Sequence, residues 1–203
     1  MKVYAQIILS RDSYIAWVGD DISWISEKTR EQYARTIHGM GNCIVGRRAY
    51  QVLERQKVIL SNAKPAYRRQ GSSCILDSSP AKRVQNDWWT RFFDACDDPF
   101  IVVLSKHNYP SQPNRHFTDA KPKNILKLLD EKWYSSTVVC GGVQAIQLFM
   151  DAGLVDTIIV YTEDRYIGEW IKFSEILLEG WDCIEDYWYK KVYTNNDTSS
   201  HSK

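Results

Sequence analysis

Apolar and polar residues alternate along this chain in blocks whose lengths fit strands and helices in turn. Residues 3–10 (VYAQIILS) form a nearly unbroken aliphatic run, the pattern of a strand buried on both faces. A polar stretch opens at Ser26-Glu27-Lys28. Ser26 is a suitable N-cap there, and a helix is predicted from it to about His38. Gly39-Met40-Gly41 ends that helix, residues 42–45 return to a short buried strand, and Gly46 opens another helix. Further strands are predicted at residues 57–61, 100–105, 137–140 and 156–162, with an edge strand at 186–194. Residues 121–132 read as an amphipathic helix with Ile125, Leu128 and Leu129 on one face. Residues 143–152 form the next helix, closed by Gly153. This alternation predicts an α/β fold: a mostly parallel central sheet, an antiparallel C-terminal edge strand, and helices on both faces. Residues 1–194 are expected to form one domain with an added segment at about 62–98, and the polar residues 195–203 a disordered tail.

Composition narrows the function more by exclusion than by assignment. Apolar residues make up 44% of the 203, enough for a substantial core, and a net charge of +1 gives no field that would draw nucleic acid. No apolar run has the length of a membrane span, and the N-terminus lacks the form of a signal peptide. The five cysteines are scattered, odd in number and without a C-x-x-C pair, which fits reduced thiols in a cytoplasmic setting. The four histidines show no metal-ligand spacing, so no metal is expected.

Chemistry concentrates where predicted strands end. Val139-Cys140-Gly141-Gly142-Val143-Gln144 runs from a strand through two glycines into a helix. Such a turn lets a ligand approach the backbone, and the helix start favours an anion. Val45-Gly46-Arg47-Arg48 repeats the theme with two guanidiniums suited to phosphate. Leu104-Ser105-Lys106 adds a hydroxyl and a cation at a third strand end. Three such ends suit a dinucleotide with an extra phosphate, such as NADPH, although the G-x-G-x-x-G fingerprint is absent.

Several segments taken in order carry a resemblance. They are Ser10-Arg11-Asp12-Ser13-Tyr14-Ile15-Ala16, Trp24-Ile25-Ser26, Val45-Gly46-Arg47-Arg48-Ala49-Tyr50, Val139-Cys140-Gly141-Gly142, Gly153-Leu154-Val155-Asp156, and Ile167-Gly168 with Phe173. The chain resembles the dihydrofolate reductase superfamily, and within it the branch holding the reductase domain of the bifunctional riboflavin-biosynthesis deaminase–reductase. The resemblance spans roughly residues 1–56 and 99–194. It implies NADPH-dependent hydride transfer to a C=N or C=O bond of a pterin-like or pyrimidine substrate. It also implies roles by position. Ile8 and Ile15 would flank the nicotinamide; Gly46, Arg47 and Arg48 would hold the phosphate side. Ser105 and Lys106 would take the adenosine end, and Gly141, Gly142, Val143 and Gln144 the diphosphate. Gln6, Tyr33, Cys140 and Ile146 would line the substrate, with Tyr33 against its ring. Glu27 and Thr29 stand nearest the family's catalytic carboxylate, and Thr162 where a threonine supports that acid.

The chain also departs from the dihydrofolate reductase pattern. The carboxylate position is best matched by Thr29, with Glu27 and Glu31 two residues to either side; the usual threonine after Gly-Arg-x is Ala49; a late glycine is Trp170; and no Pro-x-Gly-Arg segment is found. Three functions stay open: a reductase of dihydrofolate-like pterins, a stand-alone reductase of the ribosylaminopyrimidine of riboflavin synthesis, and a non-catalytic nucleotide-binding protein. For the pyrimidine substrate's phosphate, Arg30, Arg68 or Arg69 are candidates. The Arg- and Trp-rich segment at 62–98 reads as a lid or the contact of a homodimer.

Overall fold

The computed structural model describes residues 1–16, 19–52, 99–107, 109, 114–168, 171–173 and 178–195. The expected strand at 57–61, the segment at 62–98 with Arg68 and Arg69, Trp170, and the tail beyond residue 195 lie outside them.

Ten strands and three long helices are described. The strands are β1 (Lys2–Ser10), β2 (Tyr14–Ala16), β3 (Asn42–Gly46), β4 (Phe100–Leu104), β5 (Arg115–Thr118), β6 (Ser136–Cys140), β7 (Thr157–Glu163), β8 (Ile171–Lys172), β9 (Asp182–Tyr187) and β10 (Lys190–Thr194). The helices are α1 (Glu27–Met40), α2 (Pro122–Glu131) and α3 (Val143–Asp151), and residues 47–52 are also helical. Eight strands form one sheet in the order β5-β4-β3-β6-β1-β7-β10-β9; β2 and β8 form a separate pair. The first six are parallel to one another, β10 runs antiparallel to β7, and β9 runs antiparallel to β10.

The sheet is covered on both sides, which is why its central strands are apolar throughout. Odd residues of β1 (Val3, Ala5, Ile7, Leu9) pack with Ile125 and Leu129 of α2 and with Ala145, Ile146 and Phe149 of α3. Tyr4 and Ile8, pointing the other way, join Tyr33 and Ile37 of α1. Local signals set the helix ends. The Ser26 side chain accepts from the Thr29 N–H, Gly41 closes α1 at φ +68°, and Pro122 occupies the first turn of α2.

Two elements differ from expectation. The predicted single edge strand at 186–194 is a hairpin, β9 and β10, turning at Trp188-Tyr189. Strand β9 (DCIEDY) is exposed along most of its length, so burial left no alternation in its sequence. Strand β5 was not predicted at all; its four residues are half-buried, and Phe117 alone among them is strongly apolar.

Candidate active site

The parallel strands all end on one side of the sheet, and β3 and β6 are neighbours there, with Val45 opposite Cys140. Gly46 and Gly141 are therefore the next residues on adjacent strands. The contact is close: a Cβ on Gly141 would lie 3.8 Å from the Ala49 Cβ, and one on Gly142 4.0 Å from it. The two glycine turns thus share one edge, as a single ligand bridging them requires. Gly141 and Gly142 have φ of +60° and +74°, a backbone that side chains with a Cβ resist. Gly142 is the N-cap of α3 and supplies no capping side chain, so the first N–H groups of this helix are left for an anion.

Below this edge, on the α1 face, lies a cavity of about 160 Å³. That is the scale of an apolar cavity, about 150 Å³, known to hold benzene. Its walls are mainly Ile7, Ile8, Ile15, Ile22, Ile25, Val45 and Ile101, with Tyr33, Cys43 and Cys140 from α1, β3 and β6. The small β2–β8 pair contributes Ile15, Ala16 and Ile171 to the rim. Asp12 ties that rim down: its carboxylate accepts from Ser10 Oγ at 2.6 Å, Gly168 N at 2.7 Å and Ile167 N at 3.2 Å.

Of the residues expected from sequence, Ile8, Ile15, Tyr33, Arg48, Cys140, Gly141 and Gly142 line the cavity. Gly46, Arg47, Val143 and Gln144 stand at the adjoining turns. Ser105 and Lys106 follow β4, one strand beyond β3, which puts them roughly 10 Å from the β6 end at the usual strand spacing. Ser105 Oγ is engaged with the backbone of His107. Gln6 lies fully buried beneath the site. Its Nε2 donates to the Tyr33 carbonyl (3.3 Å) and to Cys140 Sγ (3.4 Å), joining α1 to the end of β6.

Four expected residues do not reach the cavity. Ile146 is 1% exposed and packs in the core on the opposite face, because helix rotation turns it with Phe149 toward the sheet. Thr162 pairs with Leu9 and shares its face, whereas Tyr161 and Glu163 face α1; the twofold repeat of a strand decides this. Glu27 is exposed on the first turn of α1. Thr29 is buried, but its hydroxyl meets the N-cap Ser26 Oγ at 3.2 Å. The acid next to α1 is instead Glu163, which accepts from Ser26 Oγ at 2.6 Å and Ser26 N at 3.1 Å. Sequence reasoning missed it, although strand alternation from Tyr161 points to it.

Charge at the mouth is internally balanced. Arg48 Nε and Nη2 both bond Asp20 Oδ1, at 2.9 and 2.7 Å, joining the loop before α1 to the helical turns after β3. Arg30 is 6% exposed and donates to the carbonyls of Ile22 and Ser23. Burial lowers its pKa, and the nearby Glu163, Asp21 and Glu27 oppose that shift. Burial raises the Tyr33 phenol well above the ordinary tyrosine range, with Cys140, Cys43 and Tyr161 adding to the effect. Among the described residues no cluster suits a metal ion, and no helix is long and apolar enough to cross a membrane.

The model of one family, RibD C-terminal domain, matches residues 1–175. The chain belongs to that family. That family is typified by the reductase domain of the riboflavin-biosynthesis deaminase–reductase, and its fold is dihydrofolate-reductase-like. No curated protein matches in sequence. Among solved structures, a putative riboflavin biosynthesis protein from Shewanella sp. PV-4 aligns with a TM-score of 0.58 at 17% identity, over 96% of this chain and 98% of that one. A diaminohydroxyphosphoribosylaminopyrimidine deaminase/5-amino-6-(5-phosphoribosylamino)uracil reductase from Thermotoga maritima aligns with a TM-score of 0.59 at 18% identity, over 95% of this chain and 55% of that one. At these identities the two structures bear on the fold. The family places the chain with oxidoreductases of the riboflavin pathway, ahead of the dihydrofolate reading.

Proposed function

We propose that this chain is an NADPH-dependent reductase acting on a ribosylaminopyrimidine of riboflavin synthesis. One observation carries the choice over a pterin substrate: the ring-sized cavity receives no free carboxylate from α1. Thr29 stands at the position where the dihydrofolate reductase pattern calls for an acid, and Glu27 points to solvent. The cavity's own carboxylate, Asp20, is held by Arg48. Among the described residues, a pterin ring that must be protonated before it accepts hydride finds no acid positioned for it. A glycosylamine needs none of that kind, since it opens to an imine whose C=N bond accepts hydride directly.

The residues present fit a dinucleotide. The paired positive-φ glycines and the uncapped start of α3 would take the diphosphate, with Val143 and Gln144 giving backbone N–H groups. Arg47 and Lys106 are the cations toward the adenosine end. When bound, the nicotinamide supplies the hydride. The cavity walls Ile8 and Ile15 would exclude water from the acceptor. Arg30 has three acidic neighbours, which makes it a poor phosphate ligand; the substrate's phosphate is expected elsewhere.

The test is direct. Purified protein is mixed with NADPH and either 5-amino-6-ribosylaminouracil 5′-phosphate or dihydrofolate, and loss of reduced nicotinamide is followed by absorbance. Turnover of the pyrimidine but not of dihydrofolate is expected. Turnover of dihydrofolate alone would reverse the assignment. NADPH binding with no turnover of either would support a nucleotide-binding role without chemistry.

A further inference from the structure

We infer that the Tyr33 hydroxyl is the group that hydrogen-bonds the substrate ring in this cavity and holds the charge that develops there during reduction. The inference rests on the proposed pyrimidine reductase reading for its chemistry, though not for its geometry.

Few polar side chains of the described residues face the cavity. Asp20 and Arg48 pair with each other, and Arg30 Nη2 donates to two backbone carbonyls. Tyr50 is packed edge-on against Phe117, centroids 5.5 Å apart. Among the described residues, the Tyr33 hydroxyl, beside the two thiols, is the polar side-chain group that reaches the Gly141 turn. It sits 3.5 Å from where a Cβ of Gly141 would be, at the strand end where ring and main chain meet. Its sulfur neighbour is the Cys140 thiol, and sulfur is a weak acceptor. A good donor beside a poor acceptor, in an apolar pocket sized for a ring, favours a ligand oxygen or nitrogen. Gln6 fixes the backbone of the same residue from below, so the donor is held before any ligand arrives.

The step balances as follows. Hydride from the reduced nicotinamide dinucleotide forms a C–H bond at the imine carbon. The C=N π pair moves to nitrogen and delocalises into the uracil carbonyl. The Tyr33 O–H donates to that charged ring edge, and nitrogen takes its proton from water. Tyr33 keeps its own proton, as a phenol in an apolar setting does, and acts as a preorganised donor rather than as an acid.

Two measurements on the full chain test this, using Tyr33→Phe, with Tyr161→Phe as a control for the loss of a nearby buried phenol. Tyr161 faces α1 but does not line the cavity; its ring lies 6.3 Å from that of Tyr33. For Tyr33→Phe, kcat with the ribosylaminopyrimidine is expected to fall about 100-fold. Its KM for NADPH and its unfolding temperature should stay at wild-type values. Calorimetric affinity for 5,6-diaminouracil, a ring without the sugar, should fall about tenfold. Tyr161→Phe should change neither kcat nor the diaminouracil affinity. A wild-type kcat in Tyr33→Phe overturns the inference, as do equal losses in the two variants. If the wild-type chain reduces no ribosylaminopyrimidine, the enzyme reading falls, and the diaminouracil arm decides the hydroxyl alone. A tenfold loss there sustains the donor; equal binding, or none by wild type, removes it.

Discussion

The two faces of the central sheet solve different problems with the same strands. The face under α2 and α3 is aliphatic with Phe149 at its centre, and Ile44, Val102, Val139 and Ile158 there are wholly buried. The face under α1 carries Tyr33, Tyr50, Tyr161, Cys43 and Cys140, and it holds the cavity. Aliphatic side chains interdigitate until no space is left. Tyrosines are stiff and polar at the tip, and they leave room where their hydroxyls must be served. One face is therefore a foundation, and the other a container whose shape depends on that foundation.

Two substitutions, with a third as control, separate these roles. The largest effect is expected on the closed face. Phe149→Ala removes a fully buried ring and should cost about 3–5 kcal/mol of stability in denaturant unfolding. Nicotinamide dinucleotide affinity, measured on protein still folded, should not change. A loss well under that range would mean that this face is loosely packed and the contrast is mistaken. On the open face, Gly141→Ala forces a Cβ onto a backbone at φ +60°, for about 1–2 kcal/mol of strain. The new methyl meets only ordinary contacts, so the strain and the altered turn account for the effect. Gly46→Ala makes the sharper control: its φ is not in the left-handed region and its Cβ would sit 3.5 Å from Ala145. NADPH binding, followed by quenching of protein fluorescence, should weaken clearly in the first variant and little in the second. Equal weakening would shift the importance from backbone conformation to bulk at the turn.

The closed face was far more legible in the sequence than the open one. Long apolar strands, the Ser26 cap and the glycine ends announce themselves through local rules. Strand order does not: that Gly46 and Gly141 meet follows from β3 pairing with β6, a contact nearly 100 residues apart in sequence. Assigning roles by resemblance matched positions one at a time, whereas a strand sends each successive side chain to the other face. Thr162 was thereby assigned to the site and Glu163 overlooked. Ile146, which the resemblance sets against the substrate, is turned by helix rotation into the core. The weakest signals came from β9, where exposure removes the apolar alternation, and from the short, half-buried β5 with its single strongly apolar residue.

The smallest predicted effect probes the tether of the open face. Asp12 joins the turn between β1 and β2 to the loop after β7, and so holds the β2–β8 rim against the cavity. Burial alone would raise its pKa. The bonds from Ser10, Gly168 and Ile167 outweigh that and leave it below the ordinary 3.8. A carboxyl lowered by folding contributes stability above its unfolded pKa and loses it as pH falls through the folded value. The contribution should therefore be whole at pH 5 and above, start to fade near the unfolded value of about 3.9, and be gone once the folded group is protonated. Asp12→Asn should flatten that part of the stability-against-pH curve while lowering its plateau at neutral pH. Because the carboxylate is largely solvated, the change should be modest, and it should appear first in amide exchange at residues 14–16 and 167–168 rather than in β1 or β6. Exchange that quickens at the sheet centre together with the rim would mean that the two faces open as one, and the distinction between foundation and container would not hold in solution.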